Sequence, residues 1–99
     1  MPSPKSRLGD IAVPAGNHVL WPPTSFNQGC ASVFVNGAPA TTMTHTYAVH
    51  CLGNSCHAPI QETGSGTVFL EGNGSARIGD KTDCGMLVGT GSSDVFTGD

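Results

Sequence analysis

The chain has little of the material from which most soluble domains are built. Charged residues fill 11% of its 99 positions, against about 25% in an average domain. Hydrophobic residues fill 37%, against roughly 45–50% on a slightly different residue set. The four basic residues, Lys5, Arg7, Arg77 and Lys81, are scattered, and the net charge is −3. Without a basic stripe the electrostatic footprint of a nucleic-acid binder is missing. No apolar run approaches the ~20 residues of a membrane-spanning helix. The opening "MPSPKSRLGD" carries basic residues with no apolar stretch behind them, so no cleavable signal is expected and synthesis in the cytoplasm is. Nor does any stretch sustain helical periodicity, since Pro or Gly interrupts nearly every segment.

In excess are glycines, 14 of them, about twice the usual share. A chain of this length forms one domain, expected over residues 1–99, near the lower limit of what a single core can hold together. With so little core and so much turn, a metal, disulfides or a partner surface is expected to contribute to folding.

The chain repeats itself. Gly29–His45, "GCASVFVNGAPATTMTH", and Gly64–Asp80, "GSGTVFLEGNGSARIGD", align without a gap, and "GSSDVFTGD" at Gly91–Asp99 is a truncated third copy. The Val-Phe pairs at 33–34, 68–69 and 95–96 are separated by 35 and then 27 residues. "LGD" at Leu8–Asp10 and "IGD" at Ile78–Asp80 form a second matched set. Three approximate copies imply pseudo-threefold symmetry. Each copy reads as two short strands around a tight turn, and Asn36-Gly37 suits a type I′ hairpin. The expectation is an all-β fold with almost no helix.

Between the copies lie three connecting segments rich in soft ligands. The first holds His18; the second holds His45, His50, Cys51, Cys56 and His57; the third holds Cys84. Without a signal peptide, metal ligation or free thiols is the better expectation for the cysteines than two disulfides. Threefold symmetry would bring equivalent loops together at one end. One ligand from the first loop, two from the second and one from the third would then complete a tetrahedral site of the kind Zn²⁺ takes. Cys84, alone between Asp83 and Gly85, has no evident local duty and ranks first. Spacing does not choose among His45, His50 and His57, or set aside Cys51 and Cys56. Iron is compatible with the same imidazole and thiolate donors.

Taken together, "GD" before a ligand loop, "GS-x-x-VF-x-x-G" after it, Ala-Arg-x-Gly-Asp at Ala76–Asp80 and "DCG" at Asp83–Gly85 resemble the PAAR-repeat proteins. The resemblance extends from Gly9-Asp10 to Val95-Phe96. It implies a small cone of hairpins, stapled at the apex by one structural zinc on three histidines and one cysteine, here His18, His50, His57 and Cys84. It also implies a partner and a place. The broad end would sit on a trimeric β-helical spike of the VgrG type or its phage counterpart, one cap per trimer, at the tip of a type VI secretion or phage-tail spike. The role would be mechanical: capping and sharpening the spike and helping it pierce a target membrane, with no toxin or adaptor extension. Val-Phe strands, with Trp21, Met43, Met86 and Leu87, are the apolar residues available for the partner.

The chain departs from the family at His45, which stands where an aspartate is usual, at the extra thiols Cys51 and Cys56, and in the naming tetrapeptide, present only as "APAT" and "GSAR". Two other readings come from different classes. A zinc hydrolase would need an open coordination position and a base such as Glu62 or Glu71, and neither belongs to an H-E-x-x-H motif. A free-standing zinc or disulfide module would bind a soluble ligand. No enzymatic activity is expected.

Overall fold

A computed structural model of the chain describes residues 3–14 and 21–98. The described residues form eleven short strands and no helix: β1 (Ser3–Pro4), β2 (Ile11–Val13), β3 (Thr24–Ser25), β4 (Phe34–Val35), β5 (Ala38–Pro39), β6 (His50–Leu52), β7 (Ser55–His57), β8 (Phe69–Leu70), β9 (Asn73–Gly74), β10 (Leu87–Val88) and β11 (Phe96–Thr97). The all-β expectation holds.

Three two-stranded ribbons carry the repeat, two of them hairpins. β4 pairs with β5, β8 with β9, and β1 with β11, all antiparallel. In each, a phenylalanine opposes the same position of its partner strand: Phe34 faces Pro39, Phe69 faces Gly74 and Phe96 faces Pro4. The truncated third copy is completed by β1, so the last ribbon pairs strands that are far apart in sequence. Tight turns follow from the sequence. Asn36 and Gly37 have φ of 53° and 82°, Glu71 and Gly72 of 51° and 86°, the pair of positive values that a type I′ turn needs.

Past the hairpins the three repeats lock together in a ring. Ser6, Thr41 and Ala76 hold equivalent places. The Ser6 N–H donates to the Ala76 carbonyl at 3.2 Å, Ala76 to Thr41 at 3.1 Å and Thr41 to Ser6 at 3.4 Å. The flanking bridges Lys5–Arg77, Arg7–Ala40 and Thr42–Ser75 close the same triangle. At its centre lies Lys5, 2% exposed. Its ammonium donates to the Ser6 and Ala76 carbonyls, each at 3.0 Å, and to the Thr41 carbonyl. Three N–H groups of one ammonium thus meet three carbonyls related by the pseudo-threefold axis. Burial draws the Lys5 pKa from 10.5 down to about 8, against the opposing pull of Cys30, Asp10 and Asp80.

Close approach at this ring requires glycine. A Cβ on Gly29 would lie 2.7 Å from the Pro39 Cβ, and one on Gly64 would lie 2.8 Å from the Gly74 carbonyl oxygen. Both glycines open the segments that run into the Val-Phe strands.

Each ring segment ends in the same turn. The Asp10, His45 and Asp80 N–H groups donate back to Arg7, Thr42 and Arg77 carbonyls, at 2.9, 3.3 and 3.1 Å. A second cyclic layer follows. β2 pairs with both β3 and β10, while Phe26 bridges to Tyr47 and Gln61 to Thr82. The end of each connecting segment therefore pairs with the start of the next. The buried core is made of Ala76 from the ring together with Ala12, Phe26, Tyr47, Met86 and Val88 from this layer. Phe26 and Tyr47 stack with centroids 4.0 Å apart, and the Tyr47 hydroxyl donates to Gln61 Oε1 at 2.6 Å. Met86 is fully buried in this core, which corrects its expected availability to a partner.

Candidate metal centre

The middle connecting segment supplies the longest hairpin. β6 pairs with β7 in the register His50–His57, Cys51–Cys56 and Leu52–Ser55, with the turn relaxed by Gly53 at φ 61°. Cross-strand partners on one face of a sheet stand side by side, so two histidines seven residues apart become neighbours. Their Nε2 atoms are 3.0 Å apart.

His50 is buried and its Nδ1 lies 2.8 Å from the Pro22 carbonyl oxygen. A carbonyl only accepts, so Nδ1 carries the proton and Nε2 presents a lone pair toward His57. A backbone carbonyl on the distal nitrogen is the usual way a metal-binding histidine is held in its tautomer. Trp21 forms the wall of the site, stacked on His50 at 4.7 Å and tilted against His57 at 4.3 Å.

Cys84 arrives from the third segment on a tight turn, in which the Gly85 N–H donates to the Thr82 carbonyl at 3.2 Å and Gly85 takes φ 85°. Thr82 Oγ1 accepts the Met86 N–H at 3.1 Å and sits 3.2 Å from Cys84 Sγ. Either atom of the Thr82–Cys84 pair can donate, and the contact holds the sulfur in place on the turn. The ligand atoms of His50, His57 and Cys84 all lie within 4.8 Å of one another. Two imidazole nitrogens and one sulfur converging from two loops are a donor set that fits zinc. His18, expected to be the fourth, lies outside the described residues.

The remaining candidates are accounted for. His45 turns away to cap its own turn: its Nδ1 accepts the Thr42 N–H at 2.9 Å. In the other two repeats Asp10 and Asp80 do the same for the Arg7 and Arg77 N–H groups, at 2.7 and 2.8 Å. His45 therefore stands in for a carboxylate, and burial lowers its pKa, which keeps the accepting nitrogen unprotonated. Cys51 and Cys56 form a disulfide, their Cα atoms 4.1 Å apart. This corrects the expectation of free or metal-bound thiols for that pair: hairpin register sets the two side by side on the face opposite the histidines. Cys30 is a buried free thiol at the place taken by Ser65 and Ser92 in the other repeats. Glu71 lies in a hairpin turn, where its carboxylate accepts the Ser32 N–H at 3.1 Å.

Sequence reasoning missed Trp21 and Pro22 as parts of the site. The signal was "WPP" at 21–23, an aromatic and a rigid carbonyl-bearing pair directly after the first ligand loop.

Three two-stranded ribbons around an axis, and a histidine–cysteine cluster formed by two connecting segments, define a small all-β fold of pseudo-threefold symmetry. The PAAR motif matches residues 16–90, and the chain belongs to that family. Among curated proteins none matches the chain. The family is structural and metal-binding, and its place is the spike tip of contractile injection systems, in association with a spike such as VgrG.

Proposed function

We propose that this chain caps and sharpens a trimeric β-helical spike, one cap per three spike chains, and helps the spike perforate a target envelope when the machine contracts. The observation that carries the reading is the repetition of one exposed aromatic. Phe34, Phe69 and Phe96 occupy the same position in three two-stranded ribbons and are 59%, 58% and 54% exposed. Large apolar side chains left in water in a regular pattern mark a contact surface, and a threefold set matches a threefold partner. The opposite faces of the same strands turn inward, where Val35 and Thr97 are buried. Exposed strand edges of a β-helical trimer need covering, and short hairpins can continue them by strand addition.

At the other end, one zinc held by His18, His50, His57 and Cys84 would do what the core does too little of. A narrowing tip gains surface faster than volume. Structural zinc is worth about 10–16 kcal/mol in small peptides at neutral pH, comparable with the ~5–15 kcal/mol net stability of a whole domain. The ion acts as a rivet between the connecting segments.

Co-purification with a trimeric spike protein tests the reading. A stable complex of one cap with three spike chains is expected; two components that elute separately would overturn it.

A further inference from the structure

We infer that the Cys51–Cys56 disulfide and the metal are coupled through the hairpin they share, so that the oxidised chain holds its metal more tightly than the reduced one. The inference rests on the metal reading above and adds its regulation.

Successive cross-strand pairs of a hairpin point to opposite faces. His50 and His57 face Trp21 and Cys84, while the next pair outward, Cys51 and Cys56, is joined on the other side. All of residues 51–56 are exposed, so no burial holds this end of the hairpin closed. A two-stranded ribbon without a packed face is marginal in water. Two cross-links remain, the S–S bond and an ion shared by the histidines, and both close the same loop. Whichever forms first removes conformational freedom that the second would otherwise have to remove. Coupling of this kind is reciprocal: the factor by which the disulfide raises metal affinity equals the factor by which the metal favours the disulfide.

Exposure also makes the bond accessible to a dithiol. In the exchange, two electrons and two protons pass from the dithiol, which becomes a cyclic disulfide, to the S–S bond, which becomes two thiols. The freed sulfurs stay on the face opposite the histidine nitrogens, because moving them across would shift the hairpin register by one residue. They therefore do not replace the ligand they help to position. A compartment rich in dithiols loosens the tip, and an oxidising one sets it.

Zinc affinity, measured by competition with a chromophoric chelator, tests this on the full chain. Oxidised protein is compared with protein reduced by a phosphine that is removed before titration, and with the Cys51→Ser/Cys56→Ser double variant. Reduction and the double substitution are each expected to weaken zinc binding by about tenfold or more, inside the roughly 5–150-fold range of ordinary coupling. Added zinc should shift the thiol–disulfide equilibrium in glutathione buffers by the same factor. Affinities within twofold of each other, or tighter binding when reduced, overturn the coupling and leave the metal centre standing. No zinc uptake in either state overturns the metal reading and the coupling together.

Discussion

The Lys5 ammonium lies 3.0 Å from the carbonyl oxygen of Ala76, a residue 71 positions further along the chain. It reaches the equivalent carbonyls of Ser6 and Thr41 as well, so a single side chain ties all three repeats on their common axis. Replacing a whole buried ion pair by apolar groups of similar size is often neutral, whereas removing one partner alone is not. Here the neutral replacement would leave three carbonyl dipoles converging on an empty point. Lys5→Met is therefore expected to cost about 3 kcal/mol, since hydrogen bonds to a charged group contribute roughly 1.5–3 kcal/mol each before desolvation is set against them. Lys5→Arg should not rescue it, because a planar guanidinium cannot present a threefold cone of donors. Denaturant melts of both variants decide this; a Met variant as stable as the parent would show the ammonium to be dispensable.

Strain sits in the middle repeat. Gly9 and Gly79 take φ of 93° and 95° in their turns, and Thr44 is held at 76° in the third. A β-branched residue in that region costs on the order of 1–3 kcal/mol, more than the entropy glycine adds to the unfolded chain. Thr44→Gly should raise stability by about 1 kcal/mol. Replacing His45 by Asp should keep the cap on the Thr42 N–H and leave metal content unchanged, whereas His45→Ala should lose about 1 kcal/mol, the usual loss for a capping side chain. A variant at His45 that lost its metal would return this residue to the ligand set.

The repeat was legible because its signals are local. Val-Phe followed by a turn glycine, and Gly-Asp before a ligand loop, survive in copies that align without a gap. The N-terminal strand escaped notice because its copy is split from its partner by nearly the whole chain. Pro4-Lys5-Ser6-Arg7 lies 35 residues before Pro39-Ala40-Thr41-Thr42, and that spacing marks both the strand and a further version of the family tetrapeptide. In the sequence Lys5 is one of four scattered basic residues, since nothing in a single sequence marks a lysine that points down a symmetry axis. The pairing of His50 with His57 follows from hairpin register, which depends on the turn at 53–54 and is not visible in the spacing. His45 could be told from a ligand only once its partner, the Thr42 N–H, was in place.

Tyr47 gives the molecule an alkaline limit. Burial, with Cys84, Asp80 and Asp10 adding to it, raises its pKa well above the ordinary 10. Up to about pH 10 the phenol is protonated in both states and contributes no slope. Above that the unfolded chain ionises and the folded one does not, so stability falls by about 1.4 kcal/mol per pH unit. Lys5 works in the opposite sense: its folded pKa of about 8 lies below the unfolded 10.5, so its contribution rises between those values and is complete above them. Tyr47→Phe, which keeps the Lys5 effect, should lose about 1 kcal/mol at neutral pH with the bond to Gln61 and flatten the alkaline decline. As the chain has a single tyrosine, phenolate absorbance reports this residue alone and should appear only together with unfolding.

Contact through the hairpin phenylalanines predicts a separation of binding from stability. Phe34→Ser, Phe69→Ser and Phe96→Ser remove side chains that are more than half exposed, so melting temperatures should change little. Affinity for a trimeric spike should fall with each substitution, by about tenfold or more for an anchoring aromatic, and binding of the triple variant should be lost. Unchanged affinity in the triple variant would move the contact surface elsewhere.

The metal centre predicts one zinc per chain by elemental analysis of purified protein. His57→Ala and Cys84→Ala each remove a donor from the cluster of three, and should lose the zinc and at least ~10 °C of thermal stability, given that 1 kcal/mol shifts a domain of this size by about 4–8 °C. His50→Ala should behave likewise, and it also vacates the place against the Pro22 carbonyl. A chelator added to the parent protein should reproduce the loss without any substitution, and zinc should reverse it. Equal melting curves with and without chelator, or full zinc content in both His57→Ala and Cys84→Ala, would show that these side chains meet for another reason.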